Sequence, residues 1–288
     1  MIVRDMLRRV KRLLMPYRIF PVLNFPNRAI STWLNYIWPT LRTWIAWLFK
    51  SREDGNFTYS LTQRCQINLI AGLSTILNKS PDLIQQYLNE IQDDAEFKSH
   101  IAGLLPKHPD RYRSDLEPHV GRRMVWYAIV RAVKPDVVVE TGVDQGMGAV
   151  VLCAALKRNA SEGHTGQYFG TDINPLAGYF LKGEYAKFGK ILYGDSLKSL
   201  ETLEKIDLFI NDSDHSASYE QAEYEMVRNK LTASAIVLGD NSHVTSKLAE
   251  FSMRYGRRFV FLAEEPADHW YKGAGIGIST PGVSNLGV

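Results

Sequence analysis

After Pro135 the chain settles into short apolar runs separated by stretches of helical character, and this alternation limits the fold more than any other feature. Runs at 137–140, 168–172, 191–193, 208–211, 236–239, 259–262 and 275–278 are predicted strands. Val137-Val138-Val139 and Ile236-Val237-Leu238 show no polar alternation, as expected of strands covered on both faces in a parallel sheet. Strands alternating with crossover helices predict a doubly wound α/β fold with a seven-stranded, mostly parallel sheet. Only residues 263–272 separate the last two runs, and Pro266 lies among them. That gap is too polar and too broken for a crossover helix, so the last two strands should pair antiparallel.

The preceding residues are of a different kind. The sequence predicts a basic, Trp-rich helical arm over 1–55, a helical cap and linker over 56–120, and the α/β domain over 121–288. Ser80-Pro81 places a cap and then a proline where a helix would begin, and that helix is expected to reach about Glu90. Leu69, Ile70, Leu73, Ile76 and Leu77 recur at helical spacing. Residues 107–121 are polar, contain Pro109 and Pro118, and are predicted to be linker. A further helix is expected over 122–133.

The net charge of +3 hides an asymmetry. Residues 1–50 hold nine Lys/Arg against Asp5 alone, and four of the six tryptophans (Trp33, Trp38, Trp44 and Trp47) lie among them. Because the basic excess sits in the arm, no nucleic-acid partner is expected for the domain. Two uses of the arm stay open: peripheral contact with a membrane surface, or packing on its own domain or on a second copy in a homo-oligomer. No apolar run approaches the roughly 20 residues of a membrane-spanning helix. Cys65 and Cys153 stand far apart, which predicts neither a disulfide framework nor a zinc site and points to the reducing cytoplasm.

Ligands of open α/β sheets bind beyond the carboxyl ends of the strands. The first strand runs into Glu140-Thr141-Gly142-Val143-Asp144-Gln145-Gly146, followed by a helix whose free N–H groups can take an anion. A nicotinamide-binding turn would have its second glycine at position 144, to admit a pyrophosphate. Asp144 stands there instead, and an acid repels a pyrophosphate but tolerates a cationic ligand. The second strand ends at Asp172, an acid able to accept both hydroxyls of a ribose. The third ends at Asp195-Ser196, which can also simply cap the next helix. Glu140-x-Gly142-x-x-x-Gly146 resembles motif I of the class I S-adenosylmethionine (SAM) dependent methyltransferases. The resemblance spans residues 120–285 and implies SAM as cofactor. It implies a cofactor site of Glu140, Gly142, Gly146, Asp172, Asp195 and Ser196, with Asp195-Ser196 on the adenine side.

The fourth strand runs into Asp212-Ser213-Asp214-His215 and the fifth into Asp240-Asn241. If these strands are neighbours, roughly 4.8 Å apart, Asp212, Asp240 and Asn241 converge. Three oxygen ligands suit a hard divalent cation such as Mg²⁺, and a metal-free site with the same residues as hydrogen-bond partners stays open beside it. The arrangement resembles the metal-dependent O-methyltransferases, and the Asp-x-Asp-His sequence is similar to the macrocin-type sugar enzymes of methyltransferase family 24. Where the catechol-type pattern has a lysine, this chain has His215, a candidate general base beside Asp212. Asp214 can also simply cap the following helix, and Asp268-His269-Trp270 is expected to be a solvent-exposed turn. The resemblance implies metal-assisted methyl transfer to a hydroxyl of a sugar or natural product. A cephalosporin hydroxylase-like member of the fold and a non-catalytic SAM-binding scaffold are the alternatives. Asp172→Ala is expected to weaken SAM binding by roughly 1.5–3 kcal/mol in calorimetry. On the sequence alone, Asp240→Ala is expected to abolish transfer and leave SAM affinity nearly unchanged.

Overall fold

The structure, a computed structural model, describes residues 2–16, 20–117, 119–240 and 242–282. It divides into two compact units, one of Met1–Ser51 with Asp268–Trp270, the other of Arg52–Ala267 with Tyr271–Val288.

The first unit is helical: α1 (Ile2–Leu14), α2 (Phe20–Leu23), α3 (Phe25–Thr32) and α4 (Trp38–Lys50). A π-helical turn, Trp33–Ile37, joins the last two. It lies just before Pro39, a residue with no N–H to give the preceding turn. Neither α3 nor α4 buries a residue. Trp47 meets His269 and Trp270 edge-on, with ring centroids 5.5 and 6.0 Å apart. His269 is therefore buried and not part of an exposed turn, as the sequence had suggested. No helix among the described residues is long and apolar enough to cross a membrane.

The second unit opens with α5 (Gln63–Leu77), α6 (Pro81–Asp93), α7 (Ala95–Leu104) and α8 (Arg123–Val133). The first three start at side-chain caps: Thr62, Ser80 and Asp94 accept from the N–H groups of Cys65, Leu83 and Phe97. Seven strands follow: β1 (Val137–Thr141), β2 (Gln167–Asp172), β3 (Gly189–Tyr193), β4 (Ile206–Asn211), β5 (Leu231–Gly239), β6 (Arg258–Ala263) and β7 (Gly275–Thr280). The crossovers carry α9 (Met147–Ser161), α10 (Ser196–Glu201), α11 (Ala217–Val227) and α12 (Lys247–Arg254). Between β2 and β3 there is only a 3-10 turn.

The sheet order is β3-β2-β1-β4-β5-β7-β6, and only β7 runs antiparallel to its neighbours. This is the doubly wound, Rossmann-like methyltransferase fold expected from the sequence. Alternate residues feed two apolar layers. Val138, Leu208, Ile210 and Leu238 pack with α8 and α9 on one face. Val139, Phe209 and Val237 pack with Leu200, Tyr224, Val227 and Phe251 on the other.

The register fixes the site. Thr141 pairs with Thr171 and Asn211, and Asn211 pairs with Gly239. The next residue of each strand, Gly142, Asp172, Asp212 and Asp240, therefore falls in one row across the carboxyl edge. Gly142 has φ +82°, and a Cβ there would stand 2.0 Å from the Asp212 carbonyl oxygen. Gly142→Ala should accordingly cost at least about 2 kcal/mol in urea denaturation, since a strained φ alone costs on the order of 1–3 kcal/mol.

Candidate active site

A cavity of about 740 Å³ opens over the row, lined by Glu140, Gly142, Asp172, Asp195, Ser196 and Asp212 among others. Its volume is in the usual range for a small-molecule pocket, roughly 300–1,000 Å³. Seven acids and three arginines line it, a balance that favours a cationic ligand. Two of the arginines are already paired, Arg113 with Asp144 and Arg122 with Asp240.

Asp172 shapes the glycine loop. Its Oδ2 accepts from the N–H groups of Val143 (3.0 Å) and Asp144 (2.8 Å), and its Oδ1 accepts from Asn174 (2.8 Å). Asp144 sits at φ +47° and is held there by both nitrogens of the Arg113 fork, at 3.0 and 2.9 Å. Glu140 is buried and accepts a hydrogen bond from Tyr168. Burial pushes its carboxyl up to about 8. Asp195 caps α10 through the Lys198 N–H, so the capping role open in the sequence is real, and the residue also lines the cavity. Ser196 Oγ lies 2.9 Å from the Tyr219 hydroxyl and donates to Glu223.

Glu223, fully buried, gathers the strand ends from below. It accepts from Ser196, Thr141, Asn211 and Ser213, which belong to α10, β1, β4 and the turn after β4. Four donors allow a carboxylate to be buried there.

Asp212 and Asp240 meet as expected, but with a third partner. Arg122 Nε donates to Asp240 Oδ1 at 2.5 Å, and its Nη2 donates to Oδ2. Arg122 Nη1 donates to the Tyr59 hydroxyl at 2.8 Å, and that hydroxyl donates to Glu264 Oε2 at 2.8 Å. Burial, and then Asp240, push the Asp212 carboxyl well above the carboxylate range. Burial also opposes ionisation of Asp240, but Arg122 outweighs it and holds that carboxyl below its ordinary value. The Asp212 side chain keeps 17% exposure and lines the cavity, whereas Asp240 has 0% and does not.

His215 stands behind Asp212, outside the lining. Its Nε2 is 3.7 Å from Asp212 Oδ1 and its Nδ1 is 3.5 Å from Glu220 Oε1. Glu220 holds the imidazole above its ordinary value. Asp214 accepts from the Ser216 N–H at 2.8 Å, a local turn bond. Asn241 lies outside the described residues. Among the described residues no group of three or more His, Cys, Asp or Glu side chains is arranged to hold a metal ion.

Sequence reasoning missed Arg113, Arg122 and Glu223. Arg122 had been placed at the start of a helix with no sign of its partner, 118 residues away. Glu223 left a weak signal, an acid on the buried side of a helix.

Two predictions follow from these contacts. Asp240→Ala strands a buried guanidinium and should cost roughly 3–5 kcal/mol of stability by chemical denaturation, a loss the sequence did not foresee. Glu140, raised in the fold from 4.5 to about 8, contributes stability that is full below about 4.5 and lost as pH rises through about 8. Glu140→Gln should therefore gain on the wild type in urea midpoint as pH climbs across that window. A midpoint difference independent of pH would contradict the assignment.

Residues 139–242 match the profile of a family described as "Methyltransferase domain". No curated protein matches the chain. Among solved structures, an O-methyltransferase of tomaymycin synthesis from Streptomyces achromogenes, solved with SAM, is similar at 13% identity and TM-score 0.47. The match covers 77% of this chain and 100% of that one. An O-methyltransferase from Bacillus cereus, solved with S-adenosylhomocysteine (SAH), is similar at 14% identity and TM-score 0.43, covering 73% and 96%. An SAH-bound methyltransferase from Podospora anserina is similar at 17% identity and TM-score 0.45, covering 65% and 87%.

Proposed function

We propose that this chain, whose residues 139–242 match a methyltransferase domain, binds SAM in the cavity over β1 to β4 and methylates a hydroxyl of a small acceptor, a sugar or natural product. The observation that carries this is the meeting of the Gly142 loop, Asp172, Asp195-Ser196 and Asp212 on one acid-rich cavity.

SAM supplies a methyl group on a cationic sulfur. The residues present fit it. Asp172 gives three of its four or so lone-pair positions to backbone N–H groups, which leaves one for a ribose hydroxyl and not the two expected. Thr171 Oγ1, buried and lining the same cavity, has no partner among the described residues and can take another polar group. Asp195 and Ser196 mark the adenine side. Asp172, Asp195 and the other acids of the cavity wall offset positive charge, whereas Glu140, raised to about 8, contributes a polar group and little charge near neutral pH.

Asp212 is placed to take the acceptor's proton, because it faces the cavity and His215 does not. His215, between Asp212 and Glu220, orients Asp212 from behind, and Arg122 and Arg123 favour its ionised form. A proton acceptor with a raised value works only when ionised, so transfer should speed up as pH rises beyond the ordinary carboxylate range. The expected divalent cation does not fit as simply: both oxygens of Asp240 are taken by Arg122.

The arm supports a proposal about placement. Among the described residues of 2–51, sixteen large apolar side chains are exposed, Trp33, Trp38, Trp44 and Phe49 among them, in a segment about eight charges positive. Apolar surface interleaved with basic charge suits the interface of an anionic membrane. Vesicles containing phosphatidylserine should sediment with the protein at low salt, and phosphatidylcholine vesicles should not. Equal binding to both, or a stable dimer without lipid, would remove this placement.

Calorimetry with SAM tests the central claim. One SAM per chain is expected, together with transfer of labelled methyl to a hydroxylated acceptor. Stabilisation by NADH in place of SAM would overturn it.

A further inference from the structure

A magnesium ion binds through carboxylate oxygens while keeping several waters of its own. Asp240 does not offer such oxygens. Its side chain is fully buried, both oxygens accept from Arg122, and Asp212 is hydrogen-bonded to it as well. Arg122 is not a surface group that swings aside. Its side chain keeps 9% exposure, a third donor is spent on Tyr59, and Glu264 stands 3.9 Å from Nη1. Glu264 is itself fixed by Tyr59 (2.8 Å), Tyr271 (3.2 Å) and the Ala274 N–H (2.9 Å). Admitting an ion onto Asp240 would strand a buried guanidinium, and an unpaired buried charge is among the costlier defects a fold can carry.

Arg122 also lines the cavity next to Asp212. A guanidinium has five N–H donors. Three are engaged here, two on Asp240 and one on Tyr59; of the two that remain, the one on Nη1 has Glu264 at 3.9 Å, which leaves the one on Nη2 for an oxygen in the cavity.

We infer that Arg122, locked onto Asp240, supplies the positive charge at the acceptor oxygen, so that this site works without a divalent metal. The inference rests on the methyl-transfer reading and deepens it: the acceptor oxygen is held by a guanidinium on one side and by Asp212 on the other. Arg122 also accounts for a second acid beyond the strand ends that does not itself reach the cavity. Asp240 fixes the guanidinium, and Arg122 meets the ligand.

Manganese uptake, followed by the electron paramagnetic resonance signal of free Mn²⁺, tests this without any need to know the acceptor. After chelation and buffer exchange the wild type should show no saturable uptake, with or without SAH. Arg122→Met, which exposes the Asp212–Asp240 pair, should gain one saturable Mn²⁺ site and a rise in melting temperature with Mn²⁺. Stoichiometric uptake by the wild type, lost in Asp240→Asn, would overturn the inference, as would a folded Arg122→Met that takes up nothing. Should Arg122→Met fail to fold, the wild-type titration still decides. Calorimetry with SAM in EDTA keeps the two claims apart. No SAM binding sinks the methyl-transfer reading, whereas intact SAM binding alongside wild-type Mn²⁺ uptake sinks only the metal-free site.

Discussion

Parallel pairing around β1 gathers Gly142, Asp172, Asp212 and Asp240 into one row, and the charge collected there dictates most of what surrounds it. Neighbouring strands lie about 4.8 Å apart, a spacing at which ionised carboxylates in a dry interior repel strongly. Each acid meets this differently. Asp172 turns to backbone N–H groups, Asp240 to Arg122, and Asp212 keeps its proton more readily than an ordinary carboxyl. Glu223, one layer below, is satisfied by four neutral donors. The sheet thus supplies acids where a ligand can reach them, and cap, helix and loop supply the partners that let them remain there.

How far the site could be read from the sequence depended on how local its cause was. The strands were legible because Val137–Val139 in β1 and Ile236–Leu238 in β5 are unbroken apolar runs, and the edge acids because they follow such strands at a fixed place. The β6–β7 hairpin was legible because Pro266 and a polar gap exclude a crossover helix. Arg122 was not, because nothing near it in the chain indicates a partner 118 residues away. His215 was read as facing the acceptor because it lies three residues after Asp212. The turn beyond β4 sets it between Asp212 and Glu220, the latter on a helix whose facing could not be fixed without the packed core. Asp195 was ambiguous for a sound reason: a strand-end acid that starts a helix can cap it and still face the cavity, and this one caps α10 and lines the cavity.

Stability and chemistry fall on the same residues here. Arg122 joins the helical cap, through Tyr59, to the strand ends, through Asp240. A loss of activity on mutating it therefore has meaning only beside a measurement of folding. The first unit is a contrast. Its helices α3 and α4 bury no residue, and their apolar side chains lie open to whatever surface they meet.

Asp172 has one more implication. Because its carboxylate already grips Val143, Asp144 and Asn174, the glycine turn takes its final form during folding. The entropy of shaping that turn is spent before any ligand arrives, so an entering molecule meets a preorganised rim and not a segment it must first freeze. Encounter at this mouth should then resemble a key entering a cut lock, with whatever slow rearrangement the protein possesses residing elsewhere.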